Sequence, residues 1–519
     1  MMAGHFESEL CQVLIEEHFG RTVAQVAATL LREPGPLPAI MLRLRGKLKF
    51  NAVRKSLAIL IQHSIVNFKL DSSSRLNYSV DRKVILAFSR APRCCLIVKT
   101  LYGGLAEAIC EELFSYGRLT CSETIRKVAT RMEQPLADIK EKFARLSECH
   151  FIMRCPPLAP PLKGCPQFES TFDAFIMPDL ILQGDPGECK DSRKRKAPSK
   201  EGDEGIYWRI NWSRFDRYIR DEMTLELLVP KVNLTVRIMN EDFISQDFSG
   251  EVVAKHLTQT VRALLKANEV RLSPVATISS LFDMMRSVKE NELGIERPDL
   301  EKALRILVDD SRGVIRRSGD SGGGLYVVDF DRAIEQICQY HIESLIREQL
   351  ETRAVRVFRL LQQKGHLEED QIEKLTMMSG KETRELLYAM LEEGYIHTKP
   401  IGRTNDFAPA RTFVLYYVDL AQTVRGLVEY TCKVKHRLLI ERQVKMEAII
   451  ETISLDEGLD EETKKQQMAE VEEMYLSTAD RQTLEKYRKA QTILNAAETE
   501  CERALFAFKL FVEFSLRKC

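Results

Sequence analysis

Residues 54–68 read RKSLAILIQHSIVNF, and the apolar residues in this stretch follow a spacing that recurs along the chain. Leu57 and Leu60 lie three positions apart, and Ile65 and Val66 follow at offsets 8 and 9 from Leu57. Two apolar residues one helical turn apart predict an amphipathic helix that buries one face. A polar loop and an apolar pair then predict a turn and the start of a strand. The stretch therefore predicts a helix that runs into a β-hairpin.

The same spacing occurs three more times. Residues 140–154, KEKFARLSECHFIMR, and 384–398, RELLYAMLEEGYIHT, repeat it without change, and a copy that begins at Leu304 has two more residues in its loop. Further helical patterns precede each copy, and three helices followed by a hairpin is the order of a winged helix. The anchor positions of the four copies are Leu57, Leu60, Ile65, Val66, Phe143, Leu146, Phe151, Ile152, Leu304, Leu307, Val314, Ile315, Leu387, Met390, Tyr395 and Ile396.

The repeat predicts a mainly α protein with small β-hairpins, built from four tandem winged-helix domains. The first anchors of the copies are 86, 161 and 83 residues apart, so the middle interval contains an insertion. Proline-rich and charged text in that interval has little to bury and predicts a disordered linker. Residues 223–300 follow no pattern that assigns them a fold. The predicted boundaries are 1–90 for the first winged helix, 91–156 for the second, 157–204 for the linker, 205–330 for the third with an insertion, 331–420 for the fourth and 421–519 for a C-terminal helical hairpin.

The last hundred residues predict two long helices. From Leu484, alternating steps of three and four residues mark a stripe whose members, apart from two polar residues, suit burial. The stripe consists of Leu484, Tyr487, Gln491, Leu494, Glu498, Cys501, Leu505, Phe508 and Val512. An apolar pattern that includes Leu427 marks another helix upstream, and acidic residues around Gly458 predict a break. We expect an antiparallel hairpin, which forms an internal coiled coil or presents a face to a partner subunit.

The pentapeptide GDSGG at 319–323 matches the surroundings of the nucleophile in chymotrypsin-like serine proteases. That fold consists of many short strands, whereas helical periodicity dominates this chain, and no histidine lies in a protease-like setting. A phosphate-binding loop needs a helix directly after its glycines, but strand-like text follows here. We therefore predict the turn of a wing in the third winged helix. It consists of Gly319, Asp320, Ser321, Gly322, Gly323 and Gly324.

Composition excludes several classes of protein. Lys+Arg and Asp+Glu each number 76, which argues against a surface that is basic throughout. The 13 cysteines show no CxxC spacing and are typical of reduced thiols inside the cell. We predict no metal site, no cofactor and no small-molecule substrate. No apolar run is long enough for a signal region or a membrane span, so we expect a soluble intracellular protein without membrane contact.

Two basic clusters are candidate DNA contacts. One lies in LRLRGKLKFNAVRK at 42–55, where the third helix of the first winged helix begins, and the other lies beside the glycine-rich wing. Basic side chains of this kind hold a duplex by its phosphates without reading its sequence. An ordinary solvated face is the alternative for both clusters. The candidate residues are Arg43, Arg45, Lys47, Lys49, Arg54, Lys55, Arg312, Arg316 and Arg317.

A further basic run, Arg193, Lys194, Arg195 and Lys196, lies inside the predicted linker. It is either a nuclear localisation signal or a solvated part of the linker. Runs of four basic residues are weakly specific, so both interpretations stay open.

With these units, a charged insertion and a C-terminal helical hairpin, the chain resembles the large winged-helix subunit of the initiation heterotrimer of DNA-directed RNA polymerase III. The matching words occur in the expected order and span most of the chain. They are VKTLYGGLAEAICEELFSYGRLT at 98–120, GIYWRINWSRFDRYIRDE at 205–222, SGDSGGGLYVVD at 318–329 and APARTFVLYYVD at 408–419.

The resemblance implies a non-catalytic, nuclear subunit that docks on the polymerase clamp together with two smaller subunits of the heterotrimer. It also implies a role in initiation at genes for small structured RNAs, through recruitment of initiation factors and through binding and opening of promoter DNA. On the residues alone, a protein-only winged-helix scaffold of another nuclear complex stays open as the alternative. The zero net charge and the acidic third helix of the fourth unit favour that alternative. No pair of catalytic residues supports an enzyme.

Overall fold

The structure is a computed structural model with two compact units. Unit 1 comprises Met1–Arg217 with Cys432–Glu502, and unit 2 comprises Tyr218–Thr431 with Arg503–Cys519. The chain is mainly helical and carries small antiparallel sheets, which confirms the predicted fold class at that level. The structure describes residues 4–70, 75–162, 165–169, 171–178, 202–239, 250–270, 276–287, 296–320, 323–402, 412–453 and 478–518.

The first segment of unit 1 starts with helices and ends in a hairpin. Its elements are α1 His5–Phe19, α2 Arg21–Arg32, α3 Leu37–Arg43, α4 Phe50–Gln62, β1 Val66–Leu70 and β2 Leu76–Val80. The apolar face of α2 explains why it packs inward, because Val23, Val26 and Leu30 recur at helical spacing and are buried. Gly35 adds an antiparallel bridge to Tyr78 of β2, so β2 is paired along both edges.

The second segment of unit 1 repeats this order after one short helix. Its first elements are α5 Arg82–Phe88, α6 Ala91–Tyr102, α7 Gly104–Tyr116, β3 Leu119–Thr120, α8 Cys121–Met132, α9 Leu136–Glu148 and β4 Ile152–Arg154. Thr120 caps α8, because its hydroxyl accepts the backbone N–H of Glu123 at 3.3 Å. The segment is completed by a strand that lies beyond the insertion.

The insertion after β4 contains structure at both of its ends. Two antiparallel strands follow β4, namely β5 Leu158–Leu162 and β6 Cys165–Phe168. Near the other end, the buried side chain of Asp203 accepts the backbone N–H of Ser122 at 2.8 Å. The predicted disordered linker at 157–204 is therefore wrong at these ends. The basic run at 193–196 lies outside the described residues.

The strand that completes the second segment is β7 Tyr207–Ile210. It lies between β3 and β4 and pairs antiparallel with both, and its Trp208 is fully buried. The predicted boundaries 91–156 and 205–330 are wrong at this point, because residues 207–210 belong to the sheet of the second segment. The insertion thus separates two neighbouring strands of one small sheet.

The third segment, in unit 2, places elements where the sequence predicted none. The helix α10 Trp212–Met239 precedes it, and the elements of the segment are α11 Gly250–Val270, β8 Ala276–Thr277, α12 Ile278–Ser287, α13 Arg297–Val308, β9 Ile315–Gly319 and β10 Leu325–Val328. The strand β10 pairs with β8 and β9 in the order β8-β10-β9. Its core is formed by buried Leu257, Leu264, Leu281 and Leu304. Residues 223–300 therefore supply the first helices of this segment.

The fourth segment lies within the predicted range 331–420, after the first half of a long helix. Its elements are α14 Phe330–Lys364, α15 Glu369–Thr376, α16 Gly380–Glu392, β11 His397–Gly402 and β12 Thr412–Tyr417. Glu351 divides α14, because its φ of 67° and ψ of −179° interrupt the helix. Leu367 bridges to Tyr416 of β12, so the last strand is again paired along both edges.

All four segments make the same connection from helix to strand. Every anchor position is buried, with at most 5% of its surface exposed. In the first copy the backbone N–H of Ile65 donates to the carbonyl oxygen of Leu60 at 2.9 Å, and the second and fourth copies make the same bond at 3.0 and 2.9 Å. The spacing prediction is confirmed, and each copy adds a residue of positive φ before its strand. These residues are Ser64, His150, Gly313 and Gly394.

The final helices are α17 Leu420–Ile453 and α18 Thr478–Lys518. Among the described side chains of the predicted stripe on α18 none is exposed, and Leu494, Leu505 and Phe508 are buried. The predicted break around Gly458 lies outside the described residues.

Ion pairs join α17 and α18 within unit 1. Arg442 contacts Glu498 at 2.6 Å, and Lys435, which is fully buried, pairs with Glu502. Residue numbers rise along α17 as they fall along α18, so this stretch is antiparallel. Arg90 also donates to Glu502 at 3.2 Å, which ties the helix pair to the second segment. Such pairing is needed because an unpaired buried charge is strongly destabilising.

Candidate nucleic-acid interface

The candidate interface lies on α3, α4 and the turn between them in the first segment. Leu44 anchors the turn, with 3% of its surface exposed, and its carbonyl oxygen accepts the backbone N–H of Lys47 at 3.0 Å. Gly46 has a φ of +83°, which glycine adopts without strain and which lets the chain reverse here. Because the apolar side chain takes the inward position, the neighbouring basic residues Arg45 and Lys47 are exposed.

Five of the six predicted basic residues in this segment form an exposed surface, which we call the basic surface. It consists of Arg45, Lys47, Lys49, Arg54 and Lys55. Within the part of the chain that the structure describes, none of the five has an acidic partner. Arg43 differs, because it pairs with the carboxylate of Glu33 and donates to the backbone carbonyl of Glu33 at 2.7 Å. Arg43 is therefore not part of the basic surface.

The electrostatics of the basic surface favour an anion. Residues 37–62, which hold α3, the turn and α4, contain six basic and no acidic residues. Lys49 precedes the first residue of α4, where the helix leaves backbone N–H groups without intrahelical acceptors. The positive end of the helix dipole and the cations thus act in the same direction, which suits a phosphate group.

Sequence reasoning missed two basic residues in the hairpin of the same segment. Lys69 on β1 and Arg75 just before β2 are exposed and lie near the ends of the two strands that follow one another in sequence. Neither has an acidic partner among the described residues. The signal was present in FKLDSSSRLNY at 68–78, where a run of polar residues separates two basic ones. Hairpins of winged helices commonly lie along a phosphate backbone, so these two residues extend the candidate interface.

The basic cluster predicted beside the third segment does not form one exposed edge. Arg312 has 9% of its side chain exposed, contacts Asp310 at 2.7 Å and donates to the backbone carbonyl of Leu227 at 2.5 Å. Arg312 thus links the loop before β9 to α10. Its side chain is not available to DNA, which corrects the prediction that Arg312 contacts DNA. Arg316 pairs with Asp329, and Arg317 contacts Asp320 at 2.7 Å, with about half of each arginine exposed.

The predicted wing turn lies between β9 and β10, which pair antiparallel. Gly323 and Gly324 have positive φ values of +90° and +129°, and a Cβ on Gly324 would come within 3.0 Å of the Tyr326 ring. Glycine is therefore required by both conformation and space at this end of the turn. Ser321 and Gly322 lie outside the described residues.

The fourth segment presents a different surface at the equivalent helices. Residues 369–392 contain three basic and six acidic residues. Arg384 contacts Glu369 at 2.5 Å, and Lys381 lies 3.9 Å from Glu385, so acidic neighbours compensate both cations. Large apolar side chains are exposed at Leu375, Met377 and Tyr388, at 53, 93 and 62%. This mixture is typical of protein contacts rather than of a phosphate backbone.

The described part of the chain shows neither a metal-binding cluster nor a membrane-spanning helix. No group of three or more His, Cys, Asp or Glu side chains there has the arrangement of a metal site. No described helix is both long and apolar enough to cross a membrane. The described cysteines are free, and burial raises the pKa of several of them, including Cys94 and Cys121.

Three known protein families match parts of the chain. Residues 9–71 match the helix-turn-helix domain of RNA polymerase III subunit RPC82, and residues 141–337 match the family of RNA polymerase III subunit RPC82. Residues 342–418 match the C-terminal winged-helix domain of POLR3C. The first of these ranges contains the whole basic surface.

Full-length relatives match as well. The chain is 32% identical to DNA-directed RNA polymerase III subunit RPC3 of Danio rerio, over 98% of each chain. It is 30% identical to the RPC3 subunit of Mus musculus over 99% of each chain. It is 28% identical to the RPC3 subunit of Homo sapiens, again over 99% of each chain.

Proposed function

Since the chain belongs to the RPC3 family of DNA-directed RNA polymerase III subunits, we propose that the basic surface of its first segment holds promoter DNA during initiation. As a member of this family it is a non-catalytic subunit that works with other RNA polymerase III subunits. Membership of this family rules out the alternative interpretation, a protein-only winged-helix scaffold of another nuclear complex.

One observation carries the proposal, namely five exposed cations on α4 and the turn before it, none of which has an acidic partner among the described residues. Elsewhere in the chain exposed arginines such as Arg131 and Arg353 pair with glutamates at 2.7 and 3.3 Å. Cations that keep no partner in the protein are free to replace the counterions of DNA phosphates. Such contacts carry no sequence information, so we expect binding to duplexes of any sequence.

The resemblance adds finer proposals. We infer that the four segments are each winged helices and that α17 and α18 form the helical hairpin predicted from the stripe. We propose that the protein docks on the polymerase clamp with two smaller subunits, recruits initiation factors and assists promoter opening in the nucleus. The exposed Met377 and Tyr388 support a role for the fourth segment in contacts with protein partners. The run 193–196 is the proposed localisation signal.

The test is a salt titration of duplex DNA binding by the full chain, comparing wild type with a charge-reversed variant. The variant carries Arg45→Glu, Lys47→Glu, Lys49→Glu and Arg54→Glu. We expect weaker binding to every sequence and a log–log salt slope that is shallower by about 0.9 for each phosphate that the variant no longer neutralises. The fold should survive, because the four side chains are exposed and an acidic residue suits the N-terminus of α4.

A second variant with the same change in net charge is the control. It carries Lys374→Glu, Lys381→Glu, Arg384→Glu and Lys399→Glu, all at exposed positions of the fourth segment. We expect its salt slope to stay at the wild-type value. A wild-type slope in the first variant, or an equal reduction in both, would contradict DNA binding by the basic surface.

A further inference from the structure

Two guanidinium groups in unit 1 converge on one hydroxyl group, and neither has an acidic partner in the part of the chain that the structure describes. The Oγ atom of Ser64 lies 3.1 Å from Nη2 of Arg118 and 3.4 Å from Nη1 of Arg209. Within the described residues no carboxylate forms an ion pair with either arginine. Two like charges this close together, without compensation, are unusual inside a folded protein.

The three residues come from distant parts of the sequence, and the fold brings them together. Ser64 lies between α4 and β1, Arg118 directly before β3, and Arg209 in the middle of β7. Trp208 and Ile210, the neighbours of Arg209, are buried in the core of the second segment, so the alternation of a strand directs Arg209 to the opposite face. That face meets the end of α4.

A glycine allows the close approach that places Arg118. A Cβ on Gly117 would lie 2.9 Å from the carbonyl oxygen of Gln62 and 2.9 Å from the His63 ring. Any other residue would therefore push the end of α7 away from the end of α4. Gln62 also donates to the carbonyl oxygen of Tyr116 at 2.7 Å, which fixes the two helix ends to each other.

The site is rich in hydrogen-bond donors that lack acceptors. Among the described residues, the Nε atoms of Arg118 and Arg209 are buried without a hydrogen-bond acceptor. The Ser64 oxygen accepts a hydrogen bond from each guanidinium group, so the hydroxyl proton of Ser64 is available to another acceptor. Asp81 lines the adjoining cavity, but its carboxylate accepts the backbone N–H of Lys83 at 3.0 Å and pairs with neither arginine.

Burial increases the free-energy cost of keeping the two guanidinium charges close together. Burial is the main cause that lowers the pKa of Arg209, and the neighbouring Arg118 guanidinium lowers it further. A cavity of about 330 Å³ adjoins the cluster and is lined by Ser64, Arg209 and Asn211, among others. That volume corresponds to about ten water molecules, which is ample for a small anion with part of its hydration.

We propose that Arg118, Arg209 and Ser64 form a binding site for a phosphoryl oxyanion between the first and second segments. Guanidinium groups donate in a planar fork that matches phosphate oxygens, and the serine proton supplies a further bond. An anion there would compensate both cations at once and satisfy donors that otherwise lack acceptors. The site is separate from the basic surface and does not depend on DNA binding by it.

The test measures inorganic phosphate binding by the full chain, both by titration calorimetry and as a rise in Tm over chloride at equal ionic strength. We expect a rise for wild type and no rise in the Arg118→Gln, Arg209→Gln double variant. Each single change should weaken phosphate binding about tenfold, the effect of one charge-assisted bond. A double variant that keeps the wild-type rise in Tm would overturn the proposal.

Two further variants keep the test decisive. Ser64→Gly removes the hydroxyl but suits the positive φ of 59° at this position, so it should fold and still bind phosphate more weakly. Arg145→Gln is the matched control, because Arg145 is exposed and forms a surface ion pair with Glu148 at 3.8 Å, so the variant should bind as wild type does. Unweakened binding by Ser64→Gly, or equal weakening by Arg145→Gln, would count against the site.

Measurements of duplex DNA binding, with and without free phosphate, identify the source of the phosphoryl group. If the group belongs to a nucleic-acid backbone, free phosphate will compete with a duplex, and the Arg118→Gln, Arg209→Gln variant will bind the duplex less well. If the group is free in solution, duplex binding will be unchanged while phosphate binding disappears. Either result supports the site. Phosphate binding by the double variant that equals that of wild type would reject the site, whatever its duplex binding.

Discussion

In the first segment, α4 and the turn before it carry basic residues that have no acidic partner among the described residues, whereas the equivalent helices α15 and α16 of the fourth segment carry acidic residues and exposed apolar ones. Underneath these surfaces the two segments agree. Their anchors are buried, and both make the bond between third and second anchor at 2.9 Å. Both also bridge a residue just before their last two helices to the last strand, through Gly35 and Leu367.

The difference shows that surface charge and fold are specified by different residues. Burial of the four anchors and the turn after the helix determine the backbone, so exposed positions are free to change sign. One backbone plan can then serve a nucleic-acid contact in one copy and a protein contact in another. We therefore expect equivalent core substitutions to have similar effects in the two segments, and changes outside the cores to have different effects.

The largest expected effect concerns a position where the segments should behave alike. Leu60 and Met390 are both second anchors with no exposed surface. We expect Leu60→Ala and Met390→Ala each to lower the free energy of unfolding by about 2–5 kcal/mol, because each leaves a cavity in a small core. Urea denaturation of the full chain measures this. Tyr388→Ala, at a 62% exposed position, is the control and should change stability by less than about 0.5 kcal/mol.

A large destabilisation by Leu60→Ala without one by Met390→Ala would mean that the shared spacing does not reflect equivalent cores. The two variants also separate fold from function, because Met390→Ala leaves the first segment and its basic surface unchanged.

The anchors could be predicted from sequence because they depend only on neighbours along the chain. The helix, the polar loop and the strand lie within ten residues, so apolar periodicity reports them directly. The glycines at the end of the predicted wing turn are a local signal of the same kind, since Gly323 and Gly324 have positive φ. The apolar stripe on α18 was predictable in the same way, and its members Leu494, Leu505 and Phe508 are buried.

The failures involve partners that are distant in sequence. The strand β7 joins β4 across an insertion of about fifty residues, and no local pattern says which strand it pairs with. Arg312 donates to a carbonyl oxygen 85 residues away, so its sequence neighbours suggested exposure where the structure shows burial. Arg118 and Arg209 meet Ser64 for the same kind of reason, and no spacing rule indicates their convergence.

A smaller effect should distinguish the segments by their response to acid. His63 is 9% exposed and packs against the ring of Phe19 at 4.6 Å between centroids. The pKa of His63 is lowered to about 4, mainly by burial and to a smaller extent by the charges of His18 and Arg118. At the equivalent position the fourth segment has Glu393, which is exposed.

The sign of the pH dependence follows from the lowered pKa. In the unfolded chain the histidine takes up a proton near pH 6.5, but in the folded chain it stays neutral until about pH 4. Its contribution is therefore fully present above pH 6.5 and disappears as the pH falls towards 4. We expect His63→Phe to recover about 2 kcal/mol of the stability that wild type loses between pH 7 and 4.5, measured by urea denaturation. Glu393→Gln is the control, and an identical pH profile for wild type and His63→Phe would remove this distinction.

The smallest effect concerns the turn that the segments share. Gly394 has a φ of +74°, and a Cβ added there would meet no atom within 4 Å, so Gly394→Ala tests backbone conformation alone. We expect it to destabilise by about 1 kcal/mol, since alanine is strained at positive φ. Gly426 in α17 also has open space around it but lies within the helix, so Gly426→Ala should stabilise by about 0.5–1 kcal/mol. Opposite signs in urea denaturation would show that the turn conformation sets the cost. A neutral Gly394→Ala would mean that the turn tolerates a side chain as readily in the fourth segment as it does in the first, where Ser64 occupies the same position at a φ of 59°.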